Sequence, residues 1–155
     1  MPASQSRQTF GTLFRRPYQA YLNWLYAELA RSGFPEVRVA HSAVFRTIAP
    51  EGSRLTDLAE LAGMTKQSMS YLVEDLVRLG FLSLAPDPKD GRAKRVSLSE
   101  RGRDLLLTAR RLGDTYERHV AGVLGEGKAT QLRTLLEELN EGLERAPHPS
   151  AVRAI

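Results

Sequence analysis

Residues 85–91 read Ala-Pro-Asp-Pro-Lys-Asp-Gly, placing two prolines, two aspartates and a glycine in seven positions. Proline fixes φ and removes a backbone donor, while Asp and Gly favour turn conformations, so no helix can pass through this segment. The run Phe81 to Leu84 before it is apolar and short, and Arg95-Val96-Ser97-Leu98 after it alternates polar and apolar as a strand does. The chain is therefore expected to reverse here as a small β-hairpin, and the remaining elements must fit around it.

Those remaining elements carry the helical period. A helix is expected from Pro17, with Tyr18, Tyr21, Leu22, Leu25, Tyr26 and Leu29 on one face and Gly33 as a stop. A shorter one is expected from Ala40 to Ile48, and a third from Leu55 to Leu61, ended by Gly63. Thr65 is a good N-cap for a fourth, whose apolar face is Met69, Leu72, Val73, Leu76 and Val77 and whose C′ residue is Gly80. After the hairpin, Ser99 caps a long helix to Leu124, and Gly125 and Gly127 separate it from a last one over Lys128 to Leu143. Each terminal helix has a single narrow apolar stripe that needs a partner, and a second copy of the chain is the nearest one.

The fold class expected is mainly α with one small β-hairpin: a winged helix-turn-helix core with N- and C-terminal dimerisation helices. Residues 40–98 form the winged helix-turn-helix region of this reading, 13–39 and 99–145 the helical dimerisation region, and 1–12 and 146–155 flexible tails.

Charge is concentrated rather than spread. The chain carries a formal +4, and Lys89 to Arg103 alone holds six basic residues against two acids. From Asp104 onward seven basic residues meet eight acidic ones. An excess confined to one short segment indicates a surface facing a polyanion.

Helix, short turn, helix and basic hairpin together define a DNA-reading arrangement. A helix enters the major groove only if its exposed face offers hydrogen-bonding groups rather than bulky apolar ones. After Thr65 the first turns meet this condition with Lys66, Gln67, Ser68, Ser70 and Tyr71, whereas Glu74 and Asp75 follow a turn later. Gln67 can pair bidentately with adenine, and Lys66 can reach guanine or a phosphate. In the hairpin, Arg92 follows Gly91 at the tip, where a guanidinium can enter a narrow minor groove. Asp90 can pair with Arg92 or Lys94 to hold the loop, while Lys89, Lys94 and Arg95 supply phosphate contacts.

The run LTDLAELAGMTKQSMSYLVEDLVRLGFLSLAPDPKDGRAKRVSLSERGR, Leu55 to Arg103, resembles the MarR family of winged-helix regulators, most specifically in AGMTKQSMSYLVEDL and DPKDGRAKRVSLSERG. The resemblance implies a dimer with interdigitated terminal helices that binds pseudopalindromic double-stranded DNA, as a repressor in the reading adopted here. It also implies release by a small aromatic or phenolic effector held between the dimerisation and DNA-binding regions. Thr65 to Tyr71 would be the groove-reading turn, and Asp90 with Arg92 the wing-tip pair. The chain departs from many relatives in having Tyr71 where they carry arginine, exchanging a charged contact for a hydroxyl.

Other functions find less in the sequence. There is no cysteine, which excludes disulfides, thiolate metal sites and thiol redox sensing and fits a reducing cytoplasm. His41, His119 and His148 lie on separate segments, and no HExxH, phosphate-binding glycine loop or Ser/His/Asp grouping occurs, so neither an enzyme, a metal site nor a cofactor is expected. No apolar run approaches the length of a membrane span and the N-terminus lacks a signal peptide, so a cytoplasmic protein is expected. A winged-helix module serving only protein or ligand binding is the alternative, and the basic wing weighs against it. Tyr21, Trp24, His41, Phe45 and Arg46 are the residues that would line an effector pocket; core and dimer packing is the competing role for the aromatic ones.

Overall fold

The computed structural model describes residues 7–87 and 90–145, the side chains of 90–92 excepted. Two compact units divide it, Met1–Leu112 and Gly113–Ile155.

In the first unit, α1 spans Phe10–Arg31, well ahead of the start expected at Pro17 and into the expected tail. Thr9 explains the difference, because its Oγ1 accepts from the Thr12 amide at 3.4 Å, and Phe10 stacks on Phe14 one turn later. Pro17 is tolerated inside the helix at the loss of one backbone bond. The expected helix over Ala40 to Ile48 is shorter. A 3₁₀ turn, Val39–His41, leads into α2, Ser42–Phe45. Thr47 Oγ1 donates back to the Ala43 carbonyl at 2.9 Å, and Pro50 disfavours a helical conformation at Ala49, which together end the helix early.

Helices α3 (Leu55–Leu61) and α4 (Lys66–Arg78) follow as expected. Thr65 caps α4 by accepting from the Ser68 amide at 3.2 Å. At its other end the Phe81 amide donates to the Leu76 carbonyl (2.9 Å) and the Gly80 amide to that of Val77 (3.0 Å), with Gly80 at φ 80°. This is a Schellman closure, and its usual apolar contact falls to the fully buried pair Leu76 and Phe81.

Strands β2 (Leu82–Asp87) and β3 (Asp90–Leu98) form the hairpin, with Leu82 opposite Leu98 and Leu84 opposite Val96. Pairing extends further into the turn-rich segment than the residues suggested, through Ala85 opposite Arg95 and Pro86 opposite Lys94, before a register irregularity at Pro86/Asp87. Proline fits there because β2 lies at an edge of the sheet, where a missing N–H can be spared. The short strand β1, Ser53–Arg54, was not anticipated; it pairs antiparallel with β3, Ser53 opposite Val96 and Arg54 opposite Arg95.

The core of this unit gathers Leu25, Leu29, Val44, Leu58, Met69, Leu72, Leu76, Phe81, Val96 and Leu105, so α1 and the start of α5 contribute beside the helix-turn-helix. Helix α5, Glu100–Leu124, begins against Phe81. The Ser99 amide donates to the Phe81 carbonyl (3.0 Å), and Ser99 Oγ donates to the Gly80 carbonyl (2.6 Å) while accepting from Gly102 (3.0 Å).

The second unit contains the rest of α5 and α6, Glu126–Arg145, slightly longer at both ends than the expected Lys128 to Leu143. Glu126 suits a first helical turn, where a carboxylate meets the positive end of the helix dipole. Leu132, Leu135, Leu136, Leu139 and Leu143 are all exposed on α6, and Arg133 is ion-paired with Glu117 and Glu137.

A Cβ at Gly102 would lie 2.2 Å from the Phe81 carbonyl oxygen, a backbone atom that cannot step aside alone. Gly102→Ala is therefore expected to lower folding stability by about 1–3 kcal/mol, as overpacking does, measured by urea unfolding. A midpoint unchanged from wild type would show that α5 is not held this closely against the start of the wing.

Candidate nucleic-acid interface

The first turns of α4 present their polar groups outward. Thr65, Lys66, Gln67 and Ser68 are exposed, as is Tyr71 at 66% of its surface. Met69, Leu72, Val73 and Leu76 of the same helix are buried. The first turn carries no acid, so the positive helix terminus is not neutralised from within. Thr65 and Ser68 bond to each other (Oγ1 to Oγ, 2.9 Å), while the half-buried Ser70 donates to Glu74 at 2.8 Å. Thr65 is thus both cap and surface group, and Ser70 is engaged along the helix.

Of the acids near these outward groups, Glu74 stays exposed on α4, whereas Asp75 and Asp87 turn inward. Asp75 is met by Arg38 and Arg78, and its Oδ2 lies 3.0 Å from Nε2 of the buried His41. Arg78 foremost, with further hydrogen bonds from His41 and Arg38, pulls the Asp75 carboxyl down to about 2. At the wing, Asp87 is 2% exposed and accepts from Arg54 Nε at 2.9 Å and Arg95 Nη2 at 3.4 Å.

Neighbours on a strand face opposite sides, and β3 separates Lys94 from Arg95 in this way. Lys94 is exposed. Arg95 is half-buried, and its Nη1 also donates to the Gly52 carbonyl at 3.0 Å, so its guanidinium braces the root of the wing. Asp90 and Arg92 lie in β3, but their side chains, and Lys89 altogether, fall outside the described residues.

The five residues expected to line a pocket differ in burial. Tyr21, Trp24 and Phe45 pack half-buried against the core. His41 is fully buried, and Arg46 is exposed, its Nε donating to the Ser42 carbonyl at 3.3 Å. An open groove of about 650 Å³ lies between the 39–43 segment and α4, lined by Val39, Ala43, Met64, Gln67, Ser68 and Tyr71 among others. Sequence reasoning missed Arg38, Arg54 and Arg78. The one local signal was the i, i+3 spacing of Asp75 and Arg78, which suits an ion pair on a helix.

Among the described residues no helix is long and apolar enough to cross a membrane, and no group of three or more His, Cys, Asp or Glu is placed to hold a metal ion.

Comparison with known proteins gives a consistent result. The MarR family model matches residues 37–93. An HTH-type transcriptional regulator of Mycobacterium tuberculosis is 28% identical over 112 residues, 72% of this chain and 78% of that protein. The fold is that of wild-type MarR from E. coli in its apo form (TM-score 0.70, 16% identity, 86% of this chain and 98% of that one). It is likewise that of S. aureus MepR in a complex with DNA (TM-score 0.65, 19% identity, 88% and 99%). These relatives are transcription regulators and not enzymes. The MarR family model thus lies on the helix-turn-helix and wing, and the chain resembles the MarR-type regulators in sequence over that region and in fold over most of its length.

Proposed function

We propose that the chain is a cytoplasmic, homodimeric repressor that binds an inverted-repeat operator through recognition helix 65–79 and wing 85–95. The observation that carries this reading is the outward polar face of α4, exposed at Lys66, Gln67, Ser68 and Tyr71, beside a hairpin with exposed Lys94. Gln67 and Lys66 read base edges in the major groove. Tyr71 adds a hydroxyl contact, and Thr65 and Ser68 approach the backbone. Arg92, which follows Gly91 in β3, enters the minor groove; this role rests on its sequence position. Lys89 and Lys94 contact phosphates, Asp90 orders the tip, and Arg95 holds the strand that carries them.

Dimerisation is supported separately in each unit. Phe10, Leu13, Phe14 and Tyr18 leave α1 with an exposed apolar face, and the five leucines of α6 do the same there. Contiguous apolar patches of this kind mark interaction surfaces. A dimer brings two recognition helices to half-sites about one duplex turn, roughly 34 Å, apart.

Release by a small aromatic or phenolic ligand completes the proposal. The groove beside α4 has the volume of a small-molecule site and shares Gln67, Ser68 and Tyr71 with the DNA-reading face, so occupancy there would compete directly with DNA.

Selection from a random DNA pool tests the central reading, with an enriched inverted repeat expected. No enrichment above a non-specific background would sink it. Arg92→Ala should weaken binding to the selected site by about tenfold or more while leaving oligomeric state and folding unchanged, read by fluorescence anisotropy and size-exclusion chromatography. Gln67→Ala should cost about 1–3 kcal/mol of discrimination at one base pair with little change in non-specific affinity. A uniform loss over all sequences would make Gln67 a positioning contact instead.

A further inference from the structure

The recognition helix is held from behind by an imidazole. His41 ends the 3₁₀ turn before α2 and is fully buried, with both ring nitrogens committed. Nδ1 accepts the backbone N–H of Arg38 at 3.1 Å, so that nitrogen carries no proton. Nε2, 3.0 Å from Asp75 Oδ2, is then the protonated nitrogen and donates to the carboxylate. The surroundings thus fix a neutral ring in a single tautomer, and through it they fix the position of α4 at Asp75.

A second proton can go only to Nδ1. There it would face the Arg38 amide hydrogen, donor against donor, with the Arg38 guanidinium alongside at 3.3 Å from Nε2. The imidazolium can form only if the ring or the Arg38–His41 turn moves. The charged groups facing His41 are Arg38 from its own turn and Asp75 from α4, with Arg78 behind Asp75 on the same helix. Burial foremost, and the Arg38 charge, push the His41 pKa below its ordinary 6.5 against the opposing pull of Asp75. Asp75, held to about 2, remains a carboxylate wherever the histidine titrates.

We propose that His41 is a positioning residue for DNA reading, locking α4 to the Val39–His41 turn when neutral and freeing it when Nδ1 takes up a proton. The consequence for DNA rests on the function proposed above; the lock itself does not. The sign follows from the direction of the shift. The lock is fully present above the ordinary histidine value of 6.5 and is lost as pH falls from there through the lower folded value. The chain has only three histidines, so few other groups titrate in this range.

The test uses the full chain with ¹⁵N-labelled histidine. Long-range ¹H–¹⁵N correlation should show His41 as the Nε2–H tautomer at neutral pH. Amide shifts across Lys66–Arg78 should follow its titration, with a midpoint below 6.5. In His41→Gln, which keeps a donor toward Asp75 and cannot titrate, those amides should stay in place, whereas His119→Gln should behave as wild type. Should the glutamine variant fail to fold, Asp75→Asn in the presence of His41 should move the midpoint further down. Affinity for the selected DNA at constant ionic strength should fall about tenfold between roughly pH 7.5 and 5.5 in wild type and by less than about twofold in His41→Gln. An Nδ1–H tautomer, or α4 amides that ignore the titration, would overturn the lock. Parallel DNA profiles for wild type and His41→Gln would overturn its role in DNA reading. Absence of DNA binding at every pH would count against the proposed function, with the amide titration still deciding the lock.

Discussion

The first unit depends on the burial of one residue, Phe81. Its amide closes α4 through Leu76, and its carbonyl receives the first amide ahead of α5. Its ring meets Phe34 and Phe45 at centroid distances of 6.1 and 6.4 Å, and the Arg101 guanidinium lies over it at 4.4 Å. Arg101 also donates to the Leu79 carbonyl (2.8 Å) and to Glu36 (2.6 Å), so the chain before α2, the end of α4 and the start of α5 meet around one ring. Helix α4 and the wing are consecutive in sequence, and Phe81 is where they join. Their relative placement, which any groove-reading device needs to be fixed, is therefore set by core packing rather than by surface contacts.

The electrostatic arrangement follows a similar logic. Acids next to a surface proposed to face DNA would oppose a polyanion, and α4 carries Asp75 and the wing Asp87. Both are turned inward onto arginines, Asp75 onto Arg38 and Arg78, Asp87 onto Arg54 and Arg95. Their charge is used to fix backbone elements, which leaves Glu74 as the exposed acid of α4 beside exposed lysines such as Lys66 and Lys94. The same two carboxylates that would oppose a polyanion hold α4 and the wing in shape.

How much of this could be read from the residues depended on the distance between partners along the chain. Thr65 and Gly80 bracket α4 through contacts within three to five residues, and the turn-rich Ala85 to Gly91 forces a hairpin, so the element order was legible. The two residues of β1 are too few for alternation to register, and they pair with β3 from far along the chain. The clasp from His41 to Asp75 spans 34 positions and that from Arg95 to Gly52 spans 43, and no local period signals either. Arg95 illustrates the point. Composition placed it with the outward bases, whereas its opposite facing to Lys94 follows from strand alternation and its commitment from the Gly52 carbonyl just before β1 and Asp87 in β2. The apolar stripe of α1 was found but its start was not, because a mid-helix proline is a stronger signal than a threonine cap.

A hairpin that must project into solvent offers its outer edge to any other β-strand, including the same hairpin on a neighbouring molecule. Here that edge is β2, where Pro86 presents no amide and the register breaks immediately after it. An incoming strand finds the ladder interrupted within a few residues, which is how natural sheets discourage edge-to-edge aggregation. Pro86 thereby removes an amide donor from an edge that a neighbouring strand could otherwise extend.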